Sequence, residues 1–257
     1  MSAERTLVLQ SQSPERLLGW QGDCTLSVKR WAERRGYHYS LLGDEIFEVL
    51  PSGLANKYAA QPVVKSDLAR LCQIQREFQR GYIRVIWCDA DLLVFDDFEP
   101  PEEPECFGRE CWLQRSGAGI KRFKKIHNAW MSFHRDSVVL SFYIDRASAL
   151  LKAAQAPVVP QFIGPKLLTA WHNIAPFNVE ERVGMLSPLV ANALLTGDEK
   201  IVRRQREGHA QPLCAVNLSA SCEDRDTDGV CLNEADYRQL IDGLLNGYLR
   251  QRLRGTD

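Results

Sequence analysis

Two aspartates separated by a single residue, Asp89 and Asp91, follow a bulky and largely apolar run at residues 82–88. Such a run predicts a buried β-strand. Side chains alternate along an extended backbone, so residues two apart face the same way. Two carboxylates on one face offer hard oxygen ligands, and Mg²⁺ or Mn²⁺ bound in this way usually completes its shell with phosphate and water. We therefore expect Asp89 and Asp91 to hold a divalent cation.

The position of the two aspartates in the chain supports this expectation. Open α/β sheets bind ligands outside the carboxyl ends of their strands. The alternative is that Asp89 and Asp91 only begin a turn, but two charges beside Trp87 and Leu92 need some compensation. A second acidic pair, Asp96-Asp97, is interpreted as solvated loop residues.

The helix predicted before this strand brings further polar groups to the same place. Ser66 is its expected N-cap, and the helix leads into the strand, so its N-terminus lies at the strand's carboxyl edge. Lys65, Asp67 and Arg70 should therefore gather near Asp89. Free N–H groups of a first helical turn also favour anions or hydroxyl oxygens. The alternative is that Asp67 only complements the helix dipole and pairs with Arg70.

The elements that position these residues alternate along the chain. Strands are predicted at residues 6–10, 37–42, 82–88 and 129–133, and helices at 26–35, 66–80, 136–154, 165–171 and 233–254. This alternation favours an α/β sandwich with a mostly parallel central sheet, and the 257 residues fit one domain. Residues 199–228 have weak patterning and are interpreted as a long surface loop or an active-site flap.

Charge and cysteine usage restrict the class of protein. The formal net charge is -1, which argues against a nucleic-acid partner. The basic residues 121–125 are interpreted as a solvated loop, with a contact to phosphate or to an anionic acceptor as the alternative. The eight cysteines include no C-x-x-C pair. The apolar run at residues 7–9 is too short for a secretory signal, and no stretch approaches the roughly 18 apolar residues of a transmembrane segment. We expect a reduced, cytoplasmic protein.

Residues 65–71, Lys-Ser-Asp-Leu-Ala-Arg-Leu, followed by residues 85–91, resemble the sugar-binding DXD region of glycosyltransferases with the GT-A fold. The similar groups are the initiating mannosyltransferase-like family and the glucosylating bacterial toxins. Residues 127–131 resemble an Asn-Ala segment of several GT-A families, glycogenin-like enzymes included. Ile163-Gly164-Pro165 resembles a Thr-Gly-Pro element, with Ile163 in place of Thr. The similarity spans roughly residues 5–175, and the 65–91 block is its most specific part.

The resemblance implies a Rossmann-like α/β/α sandwich in which residues 5–100 bind the nucleotide sugar and residues 105–257 form the acceptor side. It implies that Asp91 ligates Mn²⁺ or Mg²⁺ directly and that Asp89 contacts ribose, or the metal through water. The remaining implied contacts are with the donor: Lys65, Asp67, Arg70 and Asn128 for the sugar, and Gln10 and Ser11 for the nucleotide.

The implied activity is metal-dependent transfer of a sugar, as in a hexosyltransferase, with retained anomeric configuration. The donor would be a UDP- or GDP-sugar, and the acceptor a glycan, a lipid-linked molecule or a small molecule. No residue is nominated as the catalytic nucleophile. The mannosyltransferase group also has a C-terminal His…Ser-Trp element, which this sequence lacks. Its candidate replacements are His209, Asn217, Ser219 and Ser221, whereas His127 and His134 are interpreted as structural.

Two alternatives remain open at this point. A haloacid-dehalogenase-like phosphatase also places D-x-D after an apolar strand, with the first Asp as nucleophile. That family prefers Thr or Val where Leu93 stands, and its motif lies near the start of the domain, unlike Asp89. The other alternative is a non-catalytic GT-A domain that only binds nucleotide.

Overall fold

The first part of the chain alternates strands with helices, as described by a computed structural model that covers residues 5–117 and 119–255. In chain order the elements are β1 (Thr6–Ser11), α1 (Trp20–Arg34), β2 (His38–Leu42), α2 (Ser52–Lys57), α3 (Pro62–Gln79), β3 (Arg84–Cys88) and β4 (Leu92–Val94). Short 3₁₀ helices at Pro14–Leu18 and Asp44–Val49 lie in the connections. β3 is buried along its whole length, as expected of a central strand.

The second part adds a long hairpin, a group of helices and a small sheet. Its elements are β5 (Glu105–Ser116), β6 (Gly119–His134), α4 (Val138–Ala153), α5 (Pro165–Ile174), β7 (Val179–Glu180), β8 (Val183–Met185), α6 (Pro188–Thr196), α7 (Glu199–Arg206), β9 (Ala215–Asn217), α8 (Glu234–Leu245) and α9 (Tyr248–Arg254). A 3₁₀ turn at Ala220–Cys222 follows β9. None of the described helices is long and apolar enough to cross a membrane.

The main sheet has the strand order β2-β1-β3-β6-β5-β7. β1 runs parallel to both β2 and β3, and β7 runs parallel to β5. β6 is antiparallel to both of its neighbours, β3 and β5. The predicted α/β architecture with a mostly parallel central sheet is therefore confirmed.

Alternating side chains of β1 and β3 pack against helices on opposite faces of the main sheet. Leu9 and Trp87 belong to the apolar cluster that contains Leu68 of α3. Val8 and Ile86 belong to a second cluster that contains Val28 and Trp31 of α1. Because successive residues of a strand point to opposite faces, this pattern fixes the register of both strands.

A second sheet joins the middle of the sequence to its C-terminal part. Its strand order is β4-β9-β8, and Leu92 of β4 lies opposite Asn217 of β9. Asp91 immediately precedes β4, so the pairing carries the end of β9 to the D-x-D segment. The interpretation of residues 199–228 as one long loop is therefore wrong, because α7 and β9 lie within them.

α3 begins one turn earlier than the predicted N-cap Ser66. It starts at Pro62, after Gln61, and Lys65 already donates its N–H to the carbonyl of Gln61 at 3.1 Å. Proline is favoured at a first helical position because its missing N–H would have no helical partner there. Asp67 and Arg70 consequently lie beyond the first turn. Asp67 and Arg70 contribute side chains to the site. The free N–H groups that were expected near them belong to the first turn of α3 and therefore to other residues.

The C-terminal helix predicted at residues 233–254 is two helices. α8 starts at Glu234, directly after the expected N-cap Asn233, and Asp236 completes a capping box. Gly247 has a φ of 103°, a left-handed conformation that glycine tolerates, and it separates α8 from α9. Leu240 and Leu244 of α8 and Leu249 of α9 are buried in a third apolar cluster, so both helices dock on the core.

Candidate functional site

The carboxyl ends of β1 and β3 meet at one edge of the main sheet. The two strands pair in parallel, with Leu9 opposite Trp87. Gln10 donates from Nε2 to the backbone carbonyl of Asp89 at 3.1 Å, and Tyr39 donates its hydroxyl to Oε1 of Gln10 at 2.9 Å. Gln10 is fully buried, so it fixes the backbone position of Asp89. This is the sheet edge where open α/β folds bind ligands.

The Asp89 carboxylate is held by donors from α3 and β3. Its Oδ1 accepts hydrogen bonds from Arg70 Nη1 and from Trp87 Nε1, each at 2.7 Å. The guanidinium of Arg70 also lies 5.1 Å from the centroid of the Trp87 ring. The Asp89 side chain remains 25% exposed, so it borders solvent while Arg70 fixes its orientation.

Arg70 connects Asp89 to two further predicted site residues. Its Nη2 lies 3.4 Å from Oδ1 of Asp67, and its Nη1 donates to the backbone carbonyl of Asn128 at 3.1 Å. Nδ2 of Asn128 donates to the same Asp67 oxygen at 2.8 Å. Asp67, Arg70 and Asn128 are all buried. Burial raises the pKa of Asp67 to about 6, and the charge of Arg70 and the Asn128 hydrogen bond offset part of this effect.

The backbone of Gly164 approaches this network closely. A Cβ atom added at Gly164 would lie 2.6 Å from Oδ2 of Asp67 and 2.9 Å from Nδ2 of Asn128. Gly164 is the N-cap residue of α5, and Pro165 follows in the first turn. The Ile163-Gly164-Pro165 segment therefore forms part of the wall around Asp67 and Asn128, and only a residue without a side chain fits at its centre.

Asp91 contacts a different part of the chain. Its Oδ1 accepts from Asn217 Nδ2 at 2.6 Å, and its Oδ2 accepts from the backbone N–H of Ala220 at 2.8 Å. Burial and repulsion from Asp89 raise the pKa of Asp91 to about 6, and the donors from Ala220 and Asn217 offset part of the increase. Asn217 itself is oriented by the N–H of Ser219, which donates to its Oδ1 at 2.8 Å.

The chain turns between the two aspartates, with the N–H of Leu92 donating to the carbonyl of Asp89 at 3.0 Å. The expectation that both carboxylates face one way along a strand is therefore wrong, because β3 ends at Cys88. Asp89 faces Arg70 and Trp87, whereas Asp91 faces the segment after β9. Within the described ranges, no group of three Asp, Glu, His or Cys side chains is arranged so that it could hold a metal ion. Mg²⁺ and related ions are usually held by one or two carboxylates together with substrate phosphates, so this donor set still fits such an ion.

The two remaining predicted site residues, Ser11 and Lys65, contact other parts of the chain. Ser11 ends β1 and donates its hydroxyl to the carbonyl of Gly43 at 3.3 Å. Lys65 extends along α3, where its ammonium lies 4.3 Å from the centroid of the Phe47 ring. Thus Ser11 stays at the sheet edge beside Gln10, whereas Lys65 is held by an aromatic side chain.

Among the four candidates for the missing C-terminal element, Asn217 is the one that contacts the D-x-D segment. Ser219 donates its hydroxyl to the carbonyl of Leu186 at 3.0 Å, and Ser221 is exposed. His209 lies beside Glu181, with Nδ1 3.1 Å from that residue's carbonyl oxygen. His127 is fully buried and lies 3.4 Å from the carbonyl of Val183, in keeping with a structural role.

Two contacts of the site were missed from the sequence. The Trp87 indole and the Ala220 backbone N–H each hold one aspartate. The contact of Trp87 could have been predicted from the sequence, because Trp87 stands two residues before Asp89 and a buried indole N–H needs an acceptor. The contact of Ala220 with Asp91 could not be predicted from the sequence, because the fold, and not the residue type, decides where a backbone N–H lies. A surface cavity lined by Arg206, Leu213 and Arg254 lies elsewhere, and its lining includes no residue of the carboxylate site.

The comparisons with known proteins are confined to solved structures, since neither a family model nor a curated protein matches the sequence. A glycosyltransferase involved in glycosylation of the major capsid of PBCV-1 is 12% identical, with a TM-score of 0.43, and the match covers 91% of this chain and 98% of that one. The apo glycosyltransferase GlyE of Streptococcus pneumoniae TIGR4 is 13% identical, with a TM-score of 0.47. That match covers 98% of this chain and 64% of GlyE, so the chain spans less than two thirds of that protein.

Mouse xyloside xylosyltransferase 1, in its apo form, is 9% identical with a TM-score of 0.45, and the match covers 85% of this chain and 98% of that one. At identities and TM-scores this low, the function of the present chain has to be argued from its own side chains.

Proposed function

We propose that this protein is a metal-dependent glycosyltransferase that moves a sugar from a nucleoside diphosphate sugar to an acceptor. The observation that carries the proposal is the buried network of Asp67, Arg70 and Asn128, which reaches the partly exposed Asp89 at the carboxyl edge of the main sheet. Burying charged groups is costly unless they are paired, so such networks are typical of sites with a polar ligand. The same residues carry the resemblance to the GT-A sugar-binding region.

The nucleotide part of the donor is assigned to the edge formed by β1. Gln10 and Ser11 lie at the end of this strand, and Gln10 fixes the carbonyl of Asp89 through its side-chain amide. In this arrangement Asp89 contacts the ribose. The nucleotide would be UDP or GDP.

The sugar is assigned to Asp67, Arg70 and Asn128. Carboxylate oxygens accept hydrogen bonds from sugar hydroxyls, and guanidinium and amide groups donate to them. Gly164 lies against Asp67 and Asn128, so a backbone segment rather than a mobile side chain borders these two residues. We propose a hexosyl donor and retention of anomeric configuration, as the resemblance implies.

Mn²⁺ or Mg²⁺ would be held by Asp91, with Asn217 beside it and Asp89 on the same turn. Asp91 and Asn217 are already in contact at 2.6 Å, and turning the amide oxygen of Asn217 towards a cation would release the hydrogen bond that this oxygen accepts from the N–H of Ser219. A bound divalent cation would neutralise the charge that develops on the diphosphate leaving group. Asp91 would be the direct ligand of the cation, and Asn217 would orient the Asp91 carboxylate.

The phosphatase alternative has no support from the carboxylate geometry. It requires Asp89 to attack a phosphorus atom, but Oδ1 of Asp89 accepts hydrogen bonds from Arg70 and Trp87. These donors stabilise the carboxylate charge and lower its nucleophilicity. A non-catalytic nucleotide-binding domain would share the geometry described above, so turnover is the property that separates it from an enzyme.

The first test is a thermal melt with UDP or GDP, with Mn²⁺ or Mg²⁺, with both, and with both plus EDTA. Asp89, Asp91 and a diphosphate repel one another without a bridging cation, so we expect stabilisation only when nucleotide and metal are both present. Ligand at a hundredfold over its Kd adds roughly 2.7 kcal/mol to the free energy of unfolding. For a domain of this size that corresponds to a Tm increase of about 5–10 °C.

The second test is metal-dependent hydrolysis of a panel of UDP- and GDP-sugars. Turnover of one donor supports the enzyme, and nucleotide binding without turnover of any donor supports the non-catalytic alternative. Equal Tm shifts with and without metal would contradict the metal site. No shift with either nucleotide would contradict the proposed function as a whole.

A further inference from the structure

Two cysteines outside the carboxylate site are neighbours in the segment between β9 and α8. Glu223 and Leu232 of this segment form a parallel β-bridge, and the N–H of Asp224 donates to the carbonyl of Leu232 at 2.9 Å. A cysteine directly precedes each of the two bridge partners, Cys222 on one side and Cys231 on the other. Because the two partners run in the same direction, the backbones of the two cysteines also lie next to each other.

The spacing and exposure of this pair suit a disulfide. Neighbouring β-strands lie about 4.8 Å apart, and disulfides join residues whose Cα atoms are about 4.4–6.8 Å apart. Both cysteines are free thiols in the structure; Cys231 is exposed and Cys222 is partly buried. Between them the chain turns back on itself, with hydrogen bonds of 2.8 Å and 3.1 Å between the backbones of Thr227 and Val230. The turn therefore holds the two ends of this short loop together.

The remaining cysteines are less reactive towards an oxidant. Five of them are buried, namely Cys24, Cys88, Cys106, Cys111 and Cys214. Burial raises the pKa of each of these thiols, and it raises the pKa of the partly buried Cys72 to about 11. The thiolate is the reactive form of cysteine, so these six residues react slowly at neutral pH. Oxidation should therefore start at the exposed Cys231.

We propose that Cys222 and Cys231 form a reversible disulfide by exchange with a small-molecule disulfide, RSSR. The thiolate of Cys231 attacks RSSR, so a Cys231–S–S–R bond forms and one RS⁻ leaves. The thiolate of Cys222 then attacks the sulfur of Cys231, so the intramolecular disulfide forms and a second RS⁻ leaves. The two protons of the cysteine thiols end on two molecules of RSH, and RSSR gains the two electrons that the cysteines lose.

The disulfide joins the turn that contacts Asp91 to the segment that leads into α8. Cys222 ends the 3₁₀ turn that begins with Ala220, whose N–H donates to Oδ2 of Asp91 at 2.8 Å. Cys231 directly precedes Leu232, which is buried in the same apolar cluster as α8. The bond therefore restrains the position of the Ala220 N–H relative to the core. Its formation requires neither metal nor nucleotide, so its test is independent of the proposed function.

The test is incubation of the folded protein with oxidised glutathione, followed by alkylation of free thiols, digestion with trypsin and mass spectrometry. Trypsin cleaves after Arg206, Arg225 and Arg238, so the two cysteines fall in the peptides 207–225 and 226–238. We expect these peptides to be joined, with Cys214 alkylated, and a reducing agent to separate them. The same treatment in concentrated urea should give mixed pairings, because the fold no longer selects the partner.

Single variants assign the bond to its two sulfurs. Cys222→Ala and Cys231→Ala should each abolish the joined peptide, and Cys72→Ala is the matched control that should keep it. Oxidation should raise the Tm of the unchanged protein and of Cys72→Ala by about 5 °C, because a cross-link restricts the unfolded chain. The Tm of Cys231→Ala should not respond to oxidation.

Several outcomes would overturn the proposal. Glutathione retained on Cys231 without joined peptides would show a mixed disulfide in its place, and covalent dimers through Cys231 would show pairing with a second copy of the chain. Pairing as mixed in the folded protein as in urea would show that the fold does not bring the two cysteines together. An unchanged Tm after complete joining would contradict the proposed restraint on the Ala220 turn.

Discussion

The two aspartates of the D-x-D segment have different surroundings, and under the proposed function they have different tasks. Asp89 is anchored by the side chains of Arg70 and Trp87. Asp91 is anchored by Asn217 and Ala220, which come from far along the chain. A substitution at Asp89 should therefore disturb the donor network, whereas one at Asp91 should disturb metal binding and the attachment of the segment after β9.

We predict that Asp91→Asn abolishes metal-dependent donor turnover. Both carboxylate oxygens of Asp91 accept hydrogen bonds, so the amide nitrogen of Asn would meet a donor and leave one bond unmade. The expected loss in unfolding free energy is about 1–3 kcal/mol, measured by urea denaturation. Asp145→Asn, an exposed position on α4, is the matched control and should change neither quantity. Turnover at the unchanged rate by folded Asp91→Asn protein would refute the metal assignment.

We predict that Arg70→Lys impairs donor use although the charge is kept. The Arg70 guanidinium reaches Asp89, Asp67 and the Asn128 carbonyl together, and the single ammonium of Lys lacks this planar fork. A drop in kcat/KM of about tenfold or more corresponds to the loss of one such charged hydrogen bond. Arg76→Lys, at an exposed position of the same helix, serves as control. If both variants keep full activity, Arg70 is a structural partner of Asp67 only.

At the scale of elements, the strongest sequence signals identified the right segments. The buried β3 and the amphipathic α3 were predictable because each has many apolar residues at one clear period. β5 was missed because Gly108 interrupts its pattern, at a register shift that makes room for the His127 ring. α7 was missed because it is short and highly charged, and only a few of its side chains are buried. Asn217 was one of four candidates for the missing C-terminal element, and only the pairing of β4 with β9 shows that it contacts Asp91.

The close approach of α5 to the donor network gives a test at this scale. Gly164→Ala would place a methyl group 2.6 Å from Asp67 Oδ2, and both Asp67 and Asn128 are buried and hydrogen-bonded. The φ of Gly164 is -88°, so the expected effect comes from the contact of the added methyl group with Asp67 and Asn128 and not from a left-handed backbone. We expect weaker donor use and a loss of about 1–3 kcal/mol in unfolding free energy.

Gly53→Ala is the control for this prediction. Gly53 lies within α2, and an added Cβ there meets nothing within 4 Å. Alanine at such a position should leave activity unchanged and stabilise the fold by about 0.5–1 kcal/mol. Activity measurements and urea denaturation of both variants provide the comparison. Equal behaviour of the two would show that α5 has room to retreat from Asp67.

For the whole molecule, two buried histidines make stability depend on pH. Burial lowers the pKa of both His127 and His209 to about 4, and the carboxylate of Glu181 partly opposes this effect at His209. Between pH 6.5 and 4 the unfolded chain binds protons that the folded protein excludes, so these histidines lower stability as pH falls. The raised pKa values of Asp67 and Asp91 act in the opposite direction between pH 6 and 3.8.

We predict that His209→Asn removes part of this pH dependence. The Asn amide can donate to the Glu181 carbonyl as Nδ1 of His209 does, without titrating. Between pH 7 and pH 5 the unchanged protein should lose about 2 kcal/mol more unfolding free energy than the variant, at about 1.4 kcal/mol per pH unit below 6.5. Urea denaturation at the two pH values measures this difference, and the two aspartates cancel because both proteins contain them. Identical losses would show that His209 is protonated as readily in the folded protein as in the unfolded chain.

The contact between Asp91 and Asn217 also has a consequence during synthesis on the ribosome. The two residues are 126 positions apart in the chain. At translation rates of about 5–20 residues per second, on the order of 10 s pass between the emergence of Asp91 and that of Asn217. The residues of β1, α3 and β3 have emerged by then, so the nascent chain contains Asp89 with its donors before Asp91 has its partner from β9. Under the proposed function, catalytic competence would therefore wait until β9, a strand of the small sheet, has docked.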